Sequence, residues 1–261
     1  MKDVAELLAF ARDSVNAVAT EFLEHGPEYL GQVVREELGG KEVKIAADTF
    51  LDIELRTRFL ETGMSVLTEE SGLIEQGAGD LCWVVDPVDG SINYFRGAGP
   101  SAISVALVRA LTTPVFGVVF SLDRGTLSWG GAGMGAYLQD SPIRVSGARK
   151  LAGSVVCGGF PARFKSGDAN ALNQYCGMIG QFSKVRMMGS AARSLLMVAE
   201  GRVDAYFEEE IMLWDVAAGL AIVEGAGGTW RLTTRSGNPY QCRVVAAAAG
   251  LWQEIQRVGI A

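Results

Sequence analysis

Hydrophobic residues recur at helical spacing in the first part of the chain. Between Val4 and Phe22 they fall three or four positions apart, which predicts one amphipathic helix that ends near His25-Gly26-Pro27. A second helix is predicted to open at Ala47-Asp48-Thr49 and to stop at Gly63. Asp48 stands where an N-cap belongs, so capping and a role in a site are both open for it.

Apolar runs predict strands in the rest of the chain. Met64–Leu67 and Leu81–Val85 have the pattern of short buried strands, and Ala102–Leu111 and Pro114–Leu122 that of a hairpin. After about residue 150, strands near 154–157, 184–186 and 203–207 alternate with helices near 168–180, 190–200 and 214–225. We therefore expect an α/β (α+β) fold with two halves, residues 1–150 and 151–261, packed as one body.

Composition narrows the class of protein. The 261 residues carry a net charge of −7 and no basic cluster, which argues against nucleic-acid binding. We find no apolar stretch of membrane-spanning length and no signal-peptide pattern, so we expect a cytoplasmic protein without a membrane partner. The four cysteines are scattered and the one histidine is His25, which disfavours zinc sites and Ser-His-Asp triads. If the protein is an enzyme, its carboxylates must do the chemistry.

One segment has the composition of a phosphoryl-transfer site. Asp86-Pro87-Val88-Asp89-Gly90-Ser91-Ile92-Asn93 follows a buried strand, and Pro87 is expected to end the strand pairing. Gly90 permits positive φ, and the amides of Gly90 and Ser91 suit a bound anion. Carboxylates that hold hard cations, next to donors for phosphate, indicate metal-dependent phosphoryl transfer. An Asx-rich surface turn is the alternative that these eight residues leave open.

Four further motifs follow in a recognisable order. They are Glu69-Glu70-Ser71, Gly189–Ala192, Val203–Glu208, and Trp214–Gly219 with Gly225–Gly228. Over nearly its whole length the chain thus resembles the inositol monophosphatase family of Mg²⁺-dependent, lithium-sensitive sugar-phosphate phosphatases. The resemblance implies a layered α/β/α/β/α sandwich of the sugar-phosphatase type, with the site where the two halves meet.

The resemblance also implies roles for individual residues. The ligands of two or three Mg²⁺ ions would be Glu69, Asp86, the carbonyl of Val88, Asp89 and Asp215. The catalytic residues would be Glu69, Ser91 and Asp48, where Asp48 orients the Ser91 hydroxyl toward an attacking water that the metal activates. The phosphate would be bound by the amides of Gly90 and Ser91, and the rest of the substrate by Asp89, Ala191 and Glu208.

A few positions leave alternatives open. The first glutamate of the Glu69-Glu70 pair matches the family ligand, and Glu70 would be a supporting or surface residue. An upstream lysine of the family matches either Lys41 or Lys44. Arg193 departs from the small or acidic residues expected at its position. It could contact a second anionic group of the substrate in the pocket, or it could lie on a helix surface, and we favour the helix surface.

The leading function is therefore hydrolysis of inositol monophosphate or a related sugar phosphate. Alternatives are a 3′-phosphoadenosine 5′-phosphate, fructose-1,6-bisphosphate or histidinol-phosphate phosphatase, or a regulatory, RNA-associated scaffold that keeps the fold. Bisphosphate substrates rank lower because the only basic candidates for a second phosphate are Lys184, Arg186 and Arg193. We also expect a small-molecule phosphate ester as partner, and a homodimer.

Overall fold

The chain folds into two large β-sheets that alternate with layers of helices. A computed structural model describes residues 3–25, 33–37, 42–160, 169–235 and 237–261. The helices are α1 Val4–His25, α2 Ala46–Leu60, α3 Ser91–Arg96, α4 Ala169–Ile179, α5 Ala191–Ala199, α6 Leu213–Gly225 and α7 Trp252–Arg257.

Most strands belong to the two large sheets, and β1 Val33–Glu37 and β2 Glu42–Ile45 form a separate antiparallel pair. The first sheet comprises β3 Ser65–Thr68, β4 Gly72–Ile74, β5 Leu81–Asp89, β6 Ala102–Arg109, β7 Thr113–Ser121, β8 Thr126–Gly131, β9 Gly135–Leu138 and β10 Ser141–Pro142. The second comprises β11 Val155–Gly158, β12 Lys184–Arg186, β13 Ala205–Met212, β14 Gly228–Arg235 and β15 Asn238–Ala248.

Both sheets are mixed. The first has the order β10-β9-β8-β7-β6-β5-β3-β4, in which β3 and β5 are parallel and the other pairs antiparallel. The second has the order β12-β11-β13-β15-β14, in which β11 is parallel to both of its neighbours. The predicted hairpin at residues 102–122 and the βα alternation after residue 150 are thus confirmed.

Three apolar clusters fill the space between five layers. Helices α1 and α2 pack on one face of the first sheet, and α5 and α6 lie between its other face and the second sheet. Helices α4 and α7 cover the far face of the second sheet. This is the predicted α/β/α/β/α sandwich. The division near residue 150 stays a prediction.

Helix α6 is the central element of this arrangement. Nine of its thirteen residues are buried, because it has a sheet on either side and α5 as its neighbour. Its backbone lies so close to β7 that a Cβ atom at Gly117 would be 2.2 Å from the carbonyl oxygen of Ala218. Glycine at residue 117 therefore permits the contact that fixes the position of α6, and with it of Asp215.

The structure corrects several local expectations. Pro87 does not end its strand, because β5 passes through it and pairs again at Asp89 after a register shift. Asp48 is not an N-cap, since α2 begins two residues earlier. Cys82, Cys157 and Cys242 are buried as predicted, whereas Cys176 is exposed.

Candidate active site

Three carboxylates from distant parts of the sequence converge at one edge of the first sheet. The parallel pairing of β3 with β5 places Thr68 opposite Val85, so Glu69 lies next to Asp86. Asp215 reaches the same point from the first turn of α6. One oxygen from each of the three carboxylates lies within 4.8 Å of the other two.

Asp86 shows that this cluster suits a cation. Its side chain is buried, and neither carboxylate oxygen has a hydrogen-bond partner among the residues that the structure describes. A buried carboxylate without a donor or a counter-charge is very unfavourable. Oxygen ligands of this kind are what Mg²⁺ prefers, so the residues present fit the metal that the resemblance implies.

The pKa values of the cluster also indicate that it suits a cation. Burial, followed by repulsion from neighbouring carboxylates, raises the pKa of Asp86 and Asp215 well above their ordinary values. Desolvation by the surrounding protein, together with repulsion mainly from Glu70 and Asp48, also raises the pKa of Glu69 to about 8, although Glu69 is the exposed member of the cluster. Without a cation these groups therefore favour protons, and a divalent cation would compete with those protons.

Asp89 is oriented differently from the other predicted ligands. Its carboxylate accepts hydrogen bonds from the Ser190 hydroxyl and from the amides of Ala191 and Ala192, at 3.1 Å and 2.8 Å for the two amides. Burial raises its pKa to about 6, and these hydrogen bonds oppose the rise. Asp89 thus joins β5 to the start of α5. The amide of Ala191, a residue that was expected to contact the substrate, donates its hydrogen bond to Asp89 in this structure.

The Ser91 hydroxyl contacts Asp48, the residue that the resemblance expects to orient it. Its oxygen is 3.0 Å from Oδ1 of Asp48 and 2.9 Å from the carbonyl oxygen of Val88, so it donates to one of the two. Gly90 has φ 82°, and a Cβ atom there would come within 3.0 Å of the carbonyl oxygens of Gly189 and Pro100. Glycine at this position lets the turn approach the segment that precedes α5.

Glu208 is separated from the acidic residues that follow it. The pairing of β13 with β15 changes register between Glu208 and Ile211, and Glu210 has φ 60° within this bulge. The carboxylate of Glu208 accepts a 2.6 Å hydrogen bond from the Tyr206 hydroxyl, and burial raises its pKa to about 7. A solvated acidic run is therefore the wrong description of Glu208.

The next two glutamates of that run form ion pairs instead. Glu209 lies 2.7 Å from Arg235 and 2.8 Å from Arg243, and Glu210 lies 3.2 Å from Arg235.

The structure overturns both readings of Arg193. Its side chain is only 3% exposed, so it does not lie on a helix surface. Its guanidinium pairs with the carboxylate of Asp123, at 3.2 Å between Nε and Oδ1, so it is already neutralised. Of the two lysines considered upstream, Lys41 lies outside the described residues, and so does the side chain of Lys44.

Sequence reasoning missed three side chains that support this site. Ser190 donates to Asp89, Tyr206 donates to Glu208, and Asp52 accepts from Ser71. Asp52 had a signal, because it lies four residues after Asp48 and therefore on the same side of α2. Ser190 and Tyr206 lie inside two of the quoted motifs, but their partners are set by packing.

Comparison with known proteins identifies the family. A profile described as the inositol monophosphatase family matches residues 4–260. The chain belongs to this family. The family is metal-dependent, and the carboxylate cluster has the composition to hold a metal ion.

Relatives and solved structures of this family agree with the match. The chain is 36% identical over 166 residues to an inositol-1-monophosphatase of Mesorhizobium japonicum and 37% identical over 164 residues to the Nus factor SuhB of Escherichia coli. These alignments cover 64% and 63% of this chain, and 62% and 61% of the two relatives, which is less than two thirds of their length.

Structural similarity extends over the whole fold. An inositol monophosphatase of Anabaena (Nostoc) has a TM-score of 0.81 at 26% identity, covering 99% of this chain and 97% of that one. The SuhB protein of Mycobacterium tuberculosis has a TM-score of 0.79 at 28% identity, covering 99% of both chains. Among the described residues, the helices are all too short or too polar to cross a membrane.

Proposed function

We propose that the protein is a metal-dependent phosphomonoesterase that hydrolyses inositol monophosphate or a related sugar phosphate. The observation that supports this most is Asp86, a buried carboxylate with two unpaired oxygens beside Glu69 and Asp215. Together with the family membership, this arrangement favours a hydrolase in which a cation compensates the charge of the carboxylates and of the phosphate.

Two or three Mg²⁺ ions are proposed at this cluster. Glu69, Asp86 and Asp215 would hold them, with the carbonyl of Val88 and the carboxylate of Asp89 as further ligands. When bound, Mg²⁺ would supply a Lewis acid that polarises the phosphate and lowers the pKa of a coordinated water.

The protein's own groups would align the attack. When Ser91 donates its proton to Asp48, the lone pairs of its Oγ can accept a hydrogen bond from the attacking water. Glu69 would accept a second hydrogen bond from the same water and receive its proton as the new P–O bond forms; the P–O bond to the alcohol would break, and a proton from solvent would neutralise the departing alkoxide. The amides of Gly90 and Ser91 would hold phosphate oxygens, so the phosphorus is fixed relative to the water.

The leaving alcohol is proposed to be a polyol. Glu208 is fixed by Tyr206 and offers carboxylate oxygens that suit substrate hydroxyl groups. A second phosphate would need free cationic groups, and Arg193 is buried against Asp123. This ion pair engages one of the three basic candidates for a second phosphate, and the other two, Lys184 and Arg186, are exposed. The predicted homodimer and cytoplasmic location stay predictions.

The test is a panel of phosphate esters under controlled metal conditions. Phosphate release is measured for inositol 1-phosphate, fructose 1,6-bisphosphate, 3′-phosphoadenosine 5′-phosphate and histidinol phosphate, with Mg²⁺, with chelator, and with added Li⁺. We expect turnover of inositol 1-phosphate that chelator abolishes. Asp86→Asn, purified identically, controls for contaminating phosphatases. Phosphate release that is unchanged in excess chelator would refute the proposal.

A further inference from the structure

We infer that Asp52 is a positioning residue that holds Glu69 for metal binding through the hydroxyl of Ser71. This inference rests on the proposed function, in which Glu69 is a ligand. Asp52 lies on α2, and its side chain is only 5% exposed. Its Oδ2 accepts a 2.6 Å hydrogen bond from Oγ of Ser71, two residues after Glu69.

The turn that carries Glu69 is held at three points. The amide of Glu69 donates to the carbonyl of Val85 at 3.2 Å, and the amide of Ser71 donates to Oγ1 of Thr68 at 2.9 Å. Both of these contacts lie within the first sheet and its turn. The Ser71–Asp52 hydrogen bond ties the turn to a different layer and therefore limits its rotation about the strand axis.

Helix α2 thereby contacts both sides of the carboxylate cluster. Asp48 and Asp52 are one helical turn apart, so they project from the same side of the helix. Asp48 contacts Ser91, which follows β5, and Asp52 contacts Ser71, which follows β3. One rigid helix thus sets the position of the Glu69 turn relative to the Ser91 hydroxyl.

The two oxygens of the Asp52 carboxylate differ in their partners. Oδ1 of Asp52 is buried and has no hydrogen-bond partner in the described part of the chain. Oδ2 forms an ion pair with Arg56, whose Nε lies 3.5 Å away, in addition to its hydrogen bond with Ser71. A buried polar atom without a partner destabilises a fold. The positioning role needs the oxygen of residue 52 that accepts from Ser71, and an amide oxygen would serve as well as a carboxylate oxygen.

The test compares Mg²⁺ affinity, measured by calorimetric titration of the metal-free protein with Mg²⁺, across matched variants. Asp52→Ala and Ser71→Ala should each weaken Mg²⁺ binding by about 10–100-fold, the range found for residues that orient metal ligands. The double variant should bind no more weakly than either single variant, because both remove one hydrogen bond. Asp52→Asn keeps an acceptor oxygen and should restore most of the affinity.

A control variant separates positioning from general destabilisation. Thr62→Val removes the acceptor 3.0 Å from the Trp83 indole nitrogen, beyond the far end of α2, and should lower stability without weakening Mg²⁺ binding. The Mg²⁺ concentration for half-maximal activity should shift with the calorimetric affinity in Asp52→Ala and stay unchanged in Thr62→Val.

The outcomes are distinct. Wild-type Mg²⁺ affinity in folded Asp52→Ala and Ser71→Ala would overturn the inference and leave the proposed function standing. A wild-type protein that binds no Mg²⁺ would overturn both. If Asp52→Ala does not fold, the test relies on Ser71→Ala, which removes the same hydrogen bond by changing an exposed residue.

Discussion

Replacing Asp86 by asparagine should stabilise the metal-free protein near neutral pH while abolishing activity. The substitution keeps the shape of the side chain and removes its charge. Asp86 accepts no hydrogen bond from a backbone, hydroxyl or cationic donor among the described residues, so the only donor that the substitution could affect is a protonated Glu69. The raised pKa of Asp86 means that its ionised form is less favourable in the folded protein than in the unfolded chain.

Asp89 illustrates the size that such an effect can reach. Three hydrogen bonds stabilise its ionised form, yet its pKa still rises from 3.8 to about 6. One pKa unit corresponds to about 1.4 kcal/mol, so ionising Asp89 costs the folded state about 3 kcal/mol. Asp86 is equally buried and lacks these donors, and repulsion from Glu69, Asp89 and Asp215 adds to the effect of burial, so its charge should destabilise the metal-free fold as well.

The sign of the pH dependence follows from these raised values. Between the unfolded and the folded pKa, the folded protein holds a proton that the unfolded chain has lost, so stability falls as pH rises. The advantage of Asp86→Asn in chelator should therefore be larger at pH 7.5 than at pH 4.5, and it should disappear as the pH falls below the ordinary pKa of 3.8. Comparing two proteins at each pH cancels the titration of groups far from Asp86, whereas Glu69, Asp89 and Asp215 interact with Asp86 and belong to the measured difference.

The assay is urea unfolding of both proteins at pH 4.5, 6.0 and 7.5, in chelator and in excess Mg²⁺ at matched ionic strength. At pH 7.5, Mg²⁺ should stabilise the wild type by mass action and should stabilise Asp86→Asn much less. In excess Mg²⁺ the wild type should therefore be the more stable of the two proteins, which is the reverse of the order in chelator. A wild type that is more stable than Asp86→Asn in chelator at pH 7.5 would refute this account of the cluster.

Further predictions concern catalysis and packing. Ser91→Ala should lower kcat by on the order of 10²–10⁴ with little change in KM, whereas Ser91→Thr keeps the hydroxyl and should remain active in steady-state assays. Glu69→Gln should lower kcat at least as much as Ser91→Ala, and Glu70→Gln should lower it little. If Glu70→Gln were the more damaging change in folded proteins, the metal ligand would be Glu70 and not Glu69. Gly117→Ala should lower the free energy of unfolding by about 3 kcal/mol, because its Cβ would overlap a carbonyl oxygen of α6. Gly147→Ala, with no atom within 4 Å of its Cβ, should change it by less than about 0.5 kcal/mol in the same denaturation experiment.

The layered fold was predictable because its signals are local. Helical periodicity predicted α1 and α2. The ordered short motifs indicated the family, and the family resemblance predicted that Glu69, Asp86 and Asp215 lie in one site. The hairpin of β14 and β15 was missed, since β15 ends in Val-Val-Ala-Ala-Ala and alanine has little strand preference. Burial between neighbouring layers overrides that preference.

The contacts that sequence could not give are those between distant side chains. Arg193 pairs with Asp123, 70 residues earlier, and Asp52 contacts Ser71, 19 residues later. Neither pair belongs to one motif, so nothing in the local pattern names the partner. The continuation of β5 through Pro87 has a similar cause, because a register shift lets the pairing with β6 resume at Asp89.

The burial of α6 between the two sheets also has a consequence for how the chain assembles. Until residues 213–225 have been synthesised, both sheets lack the helix that covers their facing apolar surfaces, and the site lacks Asp215. Folding must therefore wait for contacts between segments more than a hundred residues apart, which is a slow kind of assembly. Nascent chains that stall before α6 would expose these surfaces and depend on chaperones to avoid aggregation.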